Sequence, residues 1–452
     1  MASNSKISAV LLGVCVATVV VHPFQFTTSP SKQRRRCAAA APLSLHSGSG
    51  DEQDVVMSSQ SADTDTATGS WVEQDITDQL ATTSTTFLED MEPSNPVRGP
   101  SKVLIYDTTL RDGTQMESIS VSCDDKLKIA KRLSSFDVDF IEAGWPGSNP
   151  KDDEFFVRAQ DLELTTSKIV AFGSTHRAES KPADDFFLQK LIAAQADVIC
   201  IFGKSWDLHV EQALRISADT NLNMISGSVS HLLKATGKPV FYDAEHFFDG
   251  FKSDPGYALA SIQVATEAGA TRVILCDTNG GVMPHDLAHA VREVRKAIPG
   301  INLGIHVHND GGLGVANTLR AIEEGVIQVH GTINGIGERC GNVDLTSVLG
   351  NLELKLGYQC LPEGKLKNLT NLSKRVWEYL GISGPSGQPF VGSSAFAHKG
   401  GVHVSAVQRN PETYEHIKPE LVGNARKILI SELAGGSNLR AKLSNRYPEL
   451  SS

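Results

Sequence analysis

From Val103 to Ile333 the chain repeats one pattern eight times: a short apolar run, a polar or glycine-bearing end, then a longer amphipathic stretch. The runs are Val103–Tyr106, Phe140–Ala143, Ile169–Phe172, Val198–Phe202, Pro239–Tyr242, Val273–Cys276, Leu303–His308 and Gln328–Ile333. Between them lie helical patterns such as Asp124–Ser135, Pro255–Glu267, Asp286–Ala297 and Val315–Glu324. Pro255 suits a helix start, with Asp254 before it as a cap. Strands alternating with helices predict an α/β fold with a parallel sheet. Eight even units predict closure into a (β/α)8 TIM barrel. A doubly wound open sheet competes, but no GxGxxG follows the first run. After about residue 357 the rhythm stops, and Gly364–Leu380 reads as a helix. The Gly/Ser-rich Ser383–Gly387 follows, so the barrel carries a helical, loop-rich C-terminal extension.

Charge divides the rest of the chain. Residues 1–50 carry five Lys/Arg and no acid, whereas residues 51–100 carry eleven acids and one Arg. In the first segment Lys6 precedes an apolar stretch, Ile7–Val21, and then a Ser/Arg/Ala-rich run with Arg34-Arg35-Arg36. This predicts a targeting peptide: a signal-like stretch followed by a transit-like one, as in two-part plastid addresses, with Phe24 or Phe26 near the cleavage point. A mitochondrial address and a membrane anchor compete. Residues 51–100 read as a disordered linker. The expected domains are thus 1–50, 51–100, a barrel over 101–360 and an extension over 361–452. A net charge of −10 argues against a nucleic-acid surface. Seven cysteines with no CxxC pair argue for a reducing compartment. Apolar segments of the body are about strand length, so no membrane span is expected there.

Active sites of such barrels lie at the C-terminal ends of the strands, and here those ends are polar. They read Asp107–Gly113, Glu142–Gly144, Gly173–Arg177, Asp243–His246, Asp277–Gly280, His306–Asp310 and Asn334–Asn342. In His306-Val307-His308 the two imidazoles fall on one face of a strand. Two hydrogen-bonded core histidines would explain that pair alone, and a turn would explain Asp112 alone. Barrel closure, however, makes the first strand a neighbour of the eighth and the eighth a neighbour of the seventh. Asp112, His306, His308 and Asn342 can then converge on one divalent cation: Zn2+, Mn2+, Co2+ or Mg2+.

The Arg111-Asp112 pair, the His306–Asp310 strand and Gly337–Asn342, in this order and spacing, resemble the barrel superfamily of Claisen-condensing acyltransferases. That superfamily includes isopropylmalate, homocitrate and citramalate synthases and lyases of hydroxymethylglutaryl-CoA. The resemblance covers about residues 102–435. It implies a metal at Asp112, His306, His308 and Asn342. It implies Arg111 and Thr278 as binders of a 2-oxo acid, and Arg111, Glu245, His403 and Tyr414 as catalytic residues. Acetyl-CoA would be the co-substrate, with Lys399-Gly400-Gly401 a candidate for seating it. His398 competes with His403 for the histidine role. Because His403 and Tyr414 lie outside the barrel, the resemblance also implies completion of the site across a homodimer.

The lyases carry a Gly-Gly-Cys-Pro-like loop that this chain lacks. Ala171–Arg177 and Tyr242–Gly250 most resemble citramalate synthases of the bacterial type, which implies pyruvate as acceptor and isoleucine synthesis; the targeting peptide places the expected location in a plastid. Phe172, Phe247 and Phe248 are candidates for narrowing the pocket to a methyl group. An isopropylmalate synthase and a non-catalytic metal-sensing barrel are the alternatives. Family synthases usually carry a further regulatory domain; the expectation here is no feedback inhibition through one.

Overall fold

Side-chain alternation along the strands sets the architecture. The computed structural model of the chain describes residues 102–429. Its strands are β1 (Leu104–Asp107), β2 (Phe140–Gly144), β3 (Lys168–Ser174), β4 (Val198–Lys204), β5 (Val240–Glu245), β6 (Arg272–Asp277), β7 (Leu303–Val307) and β8 (Gln328–Gly331). They pair in chain order, all parallel, and β8 closes on β1 with Tyr106 opposite His330. One set of side chains, including Tyr106, Phe140, Val170, Phe172, Val198, Cys200, Phe241 and Ile274, fills the barrel interior. Their sequence neighbours, such as Ile105, Ile141, Ala171, Ile199, Ile201 and Leu275, belong to the larger core shared with the helices. Both faces are covered, which is why the strands read as unbroken apolar runs. Truncating one of these outward residues, such as Ile141, to Ala costs about 2–5 kcal/mol.

The surrounding helices are α1 (Cys123–Ser135), α2 (Pro150–Ala159), α3 (Phe186–Ala193), α4 (Ala218–Thr236), α5 (Phe247–Ser253), α6 (Pro255–Glu267), α7 (Pro284–Ala297), α8 (Gly314–Glu323) and α9 (Leu345–Leu354). Their starts follow from local chemistry. Ser122, Asn149 and Asp254 each accept a hydrogen bond from a backbone N–H three residues on, and Pro150 and Pro255 occupy the first helical position where no N–H is needed. Each such cap contributes about 1 kcal/mol.

Six strands run one to three residues past the apolar runs read from the sequence, and two stop short, each because its end is drawn into another contact. β7 stops at Val307 because His308 leaves the ladder to bridge Asn342. β8 stops at Gly331 because the chain turns inward, and the Ile333 N–H is taken by the Thr109 hydroxyl at 2.9 Å.

The extension contributes α10 (Leu369–Tyr379), which packs on α1, then α11 (Gly401–Arg409) and a small parallel pair, β9 (Ala397–His398) with β10 (Lys427–Ile428). Glu415 ties these pieces together. It is buried and accepts two bonds from Arg426, at 2.7 and 2.6 Å, and lies 3.1 Å from His398 Nε2. Burial pushes the Glu415 carboxyl up, but the Arg426 and His398 contacts prevail and hold it below the usual glutamate value. A carboxyl with a depressed pKa stabilises the fold above its unfolded pKa and loses that contribution as pH falls through its folded one. The melting temperature of wild type should therefore fall more steeply than that of Glu415→Gln as pH drops from 5 towards 3. Parallel pH profiles in a thermal melt would refute this assignment. The expected targeting peptide and acidic linker lie outside the described residues.

Candidate active site

The site begins with a turn. Past β1, the buried Asp107 carboxylate accepts from the Thr109 N–H at 3.0 Å and the Thr109 hydroxyl at 2.8 Å, an arrangement Asp favours in turns. That fold-back leaves Arg111 and Asp112 on the barrel mouth. Arg111 Nε donates to Glu142 Oε1 at 2.6 Å, and its guanidinium lies 3.8 Å over the Phe172 ring. The other Glu142 oxygen accepts from the Tyr106 hydroxyl at 2.6 Å. Glu142 is wholly buried, and these two bonds engage both of its oxygens, as a buried polar group requires.

Asp112, His306 and His308 present ligand atoms within 4.8 Å of one another, all buried. Asp112 Oδ2 is 3.4 Å from His306 Nε2 and 3.9 Å from His308 Nε2, and the two Nε2 atoms are 3.4 Å apart. Asn342 is brought alongside by its bridge to His308. Its Nδ2 donates to the Ile336 carbonyl at 3.2 Å, while its buried Oδ1 has no partner among the described residues. Two glycines make this possible. A Cβ on Gly337 would sit 2.3 Å from Asn342 Nδ2, and one on Gly341 (φ +86°) would sit 1.9 Å from the Gly335 carbonyl oxygen.

The electrostatics favour a cation. Burial opposes charge on Asp112, but Arg111 and His306 together hold its carboxyl far below the usual range. Burial would lower His306, yet the Asp112 carboxylate outweighs it and raises the imidazole above its ordinary value. His308 is pushed down to about 4 by burial and by His306. A carboxylate, an imidazole kept neutral, a second imidazole and an orphaned amide oxygen form a mixed O/N donor set that fits a divalent metal.

Asp112, His306 and His308, with Arg111, line a cavity of about 220 Å3. Glu245 and Thr278 also line it, with Asp243 and Cys276 deeper and Glu338 and Arg339 at the loop after β8. Lys204, at the end of β4, is ion-paired to Glu245. The Thr278 hydroxyl accepts from the His246 N–H at 2.9 Å, leaving its own proton to donate. The Asp243 carboxyl accepts from the Cys200 thiol at 3.2 Å, and burial together with Glu142 pushes it up to about 7. The same cavity has an aromatic wall: Phe172 and Phe202 stacked at 5.6 Å, with Trp145 edge-on to both at 5.9 and 5.7 Å.

The wall corrects the sequence expectation in part. Phe172 lines the cavity as expected, but Phe247 and Phe248 do not; they are buried in the core between α5 and its neighbours. Trp145, Phe202 and Asp243 were not singled out. The alternation along β4 and β5 could have shown Phe202 and Asp243, since each lies two residues from a residue of the same inward face. Trp145 sits in a loop, where no periodicity exists to find it.

His403 and Tyr414 lie together, rings stacked at 4.2 Å, on the exposed side of α11. Neither is among the residues lining the cavity. His398 is engaged by Glu415, which leaves His403 as the histidine of the extension presented to solvent beside Tyr414.

The HMGL-like family model matches residues 102–376, which spans the whole barrel and most of α10. The chain belongs to the HMGL-like family. A second model, described as homocitrate synthase post-HMGL domain-like, matches residues 390–451. Among curated HMGL-like relatives, an (R)-citramalate synthase of Geobacter sulfurreducens is 54% identical over 342 residues, covering 76% of this chain and 64% of that protein. A 2-isopropylmalate synthase of Sulfolobus acidocaldarius is 35% identical, covering 76% of this chain and 85% of that protein. The chain thus spans a little under two thirds of the citramalate synthase it matches. Among solved structures, an HMG-CoA lyase of Bacillus subtilis superposes with a TM-score of 0.54 at 18% identity, covering 64% of this chain and 97% of that one. At that identity the likeness speaks for the barrel fold alone. Among the described residues no helix is long and apolar enough to cross a membrane.

Proposed function

We propose that the chain is a citramalate synthase: acetyl-CoA, pyruvate and water give (R)-citramalate and CoA. The observation that carries this reading is the cavity itself. Arg111, the Asp112–His306–His308 trio and the Trp145–Phe172–Phe202 wall line one small cavity of about 220 Å3, which limits what an acceptor can carry. The greater identity to the citramalate synthase, against 35% for the isopropylmalate synthase, supports it.

Asp112, His306, His308 and Asn342 would hold a divalent cation, of which Mn2+, Mg2+, Zn2+ and Co2+ are candidates. Bound there, it supplies Lewis-acid polarisation of the acceptor's keto group. Arg111 is fixed through Nε by Glu142, and its Nη1 lies 3.5 Å from Asp112 Oδ2, so Nη2 and the remaining N–H of Nη1 would meet the acceptor's carboxylate. The Thr278 hydroxyl donates to the same molecule. A base must remove a proton from the acetyl methyl group, a contribution of about 10²–10⁴-fold. Glu245 and the His403–Tyr414 pair are the groups for proton movement. The new carbon–carbon bond turns the keto oxygen into an alkoxide beside Arg111, where fixed positive charge is most effective. Water then cleaves the thioester, CoA leaves as thiol, and condensation becomes irreversible. Purified chain with acetyl-CoA, pyruvate and Mn2+ should release free thiol and form citramalate. If 2-oxoisovalerate is used and pyruvate is not, the isopropylmalate alternative stands; no thiol with any 2-oxo acid favours a non-catalytic barrel.

The exposed His403–Tyr414 pair, which is not part of its own chain's cavity lining, supports a homodimer in which each extension serves the other barrel. Asp112→Asn and His403→Ala, each inactive alone, should regain activity when unfolded and refolded together, because mixed dimers hold one intact site. No recovery would place His403 in its own chain's site. Residues 1–50 are proposed as a plastid address and the product as an isoleucine precursor. A fluorescent fusion of those residues that stays in the cytosol would end the first proposal.

A further inference from the structure

We infer that Arg339 is the positioning residue that locks the ends of β6, β7 and β8 into one coordination site. The inference rests on the metal-site reading above. Arg339 sits at the apex of the loop after β8, three residues before Asn342. Its Nε donates to Asp310 Oδ1 at 2.8 Å and its Nη2 to Asp310 Oδ2 at 3.1 Å. The same Nη2 donates to the Thr278 carbonyl at 2.7 Å. One planar guanidinium therefore joins the loop holding Asn342 to the segment after His308 and to the residue proposed to bind the acceptor.

The loop would not adopt this shape for its own sake. Arg339 has φ +56°, a left-handed conformation that is unfavourable for a residue with a side chain. The Gly341 N–H closes a turn onto the Glu338 carbonyl at 2.9 Å, and the Gly341 carbonyl accepts from the Asn309 N–H at 2.9 Å. Those backbone bonds, with the Val343 N–H donating to the Val307 carbonyl at 2.9 Å, hold the base of the loop beside β7. The bidentate fork on Asp310 ties the apex as well, because two parallel N–H bonds fix orientation as well as distance. A lysine would keep the charge and lose the fork. Holding Asn342 and Thr278 through one side chain also couples the cation to the acceptor: loosening the fork weakens both.

The test uses full-length protein and Mn2+ binding followed by electron paramagnetic resonance, with steady-state kinetics alongside. Arg339→Ala should raise the Mn2+ Kd by about 10–100-fold, the range for groups that orient metal ligands. It should raise KM for pyruvate more than it lowers kcat. Asp310→Asn should do the same, and the double variant should be no worse than either single one, since both remove one interaction. Arg339→Lys should fall between Arg339→Ala and wild type. Should Arg339→Ala fail to fold, Asp310→Asn carries the same test. Wild-type Mn2+ affinity in folded Asp310→Asn or Arg339→Ala would overturn the inference, even if the melting temperature dropped. Failure of wild type itself to bind Mn2+ would instead overturn the metal-site reading.

Discussion

Asp112→Asn is expected to weaken Mn2+ binding by at least about 10²-fold and to lower kcat/KM by on the order of 10³-fold, equivalent to about 4 kcal/mol. The change is nearly isosteric, so the loss is one of charge. In the wild type the carboxylate lies 3.4 Å from His306 and 3.5 Å from Arg111, and it balances both. With asparagine there, the Arg111 guanidinium faces a dication with no anion between them. The pH dependence follows. The Asp112 carboxylate raises the His306 imidazole above its ordinary value, and an imidazole must lose its proton before its lone pair can bind a metal. Wild-type Mn2+ affinity should therefore fall about tenfold per pH unit below that raised pKa. In Asp112→Asn the raising partner is gone, so the fall should begin at lower pH although the affinity is weaker throughout. Calorimetric titration of Mn2+ from pH 8 to pH 5.5 reads both quantities. Equal affinities for the two proteins would remove Asp112 from the coordination set.

Phe202→Val should shift acceptor preference rather than abolish turnover. Phe202 stacks on Phe172 at 5.6 Å and meets Trp145 edge-on at 5.7 Å, and all three line the cavity. Valine opens the wall by several carbon atoms without placing a polar group there. One methylene in an apolar pocket is worth about 1–3 kcal/mol, or roughly 10–200-fold in kcat/KM. The ratio of kcat/KM for 2-oxobutyrate over pyruvate should rise within that range, and 2-oxoisovalerate should become a measurable acceptor. Arg111 also packs on Phe172, so Phe172→Val should lower kcat/KM for every acceptor as the guanidinium loses its support at 3.8 Å. That contrast separates a wall residue from one that also positions the charge. An unchanged preference in folded Phe202→Val would show that the acceptor's side chain points elsewhere.

Local chemistry carried a large part of the fold into the sequence. A strand covered on both faces must be apolar throughout, and a helix on its outside must be amphipathic, so eight such units are visible as composition alone. Caps such as Asp254 before Pro255 are visible because each acts within a few residues. His306 and His308 are visible because a strand has a period of two. Asp112 and Asn342 became candidates once closure made the first and eighth strands neighbours.

What the sequence by itself determined is therefore the barrel, its polar end and a short roster of donors, because these depend on periodicities of two and 3.6 residues. The tertiary structure alone decided which of them meet. It brought Trp145 from a loop to the wall and turned Phe247 and Phe248 away into the core. It engaged His398 with Glu415 and set His403 with Tyr414 on an outer surface. It also placed Arg339 across three strand ends. Each of those outcomes depends on a contact between segments far apart in the chain, where the path of a loop and the space left by its neighbours, rather than any repeat, fix where a side chain goes.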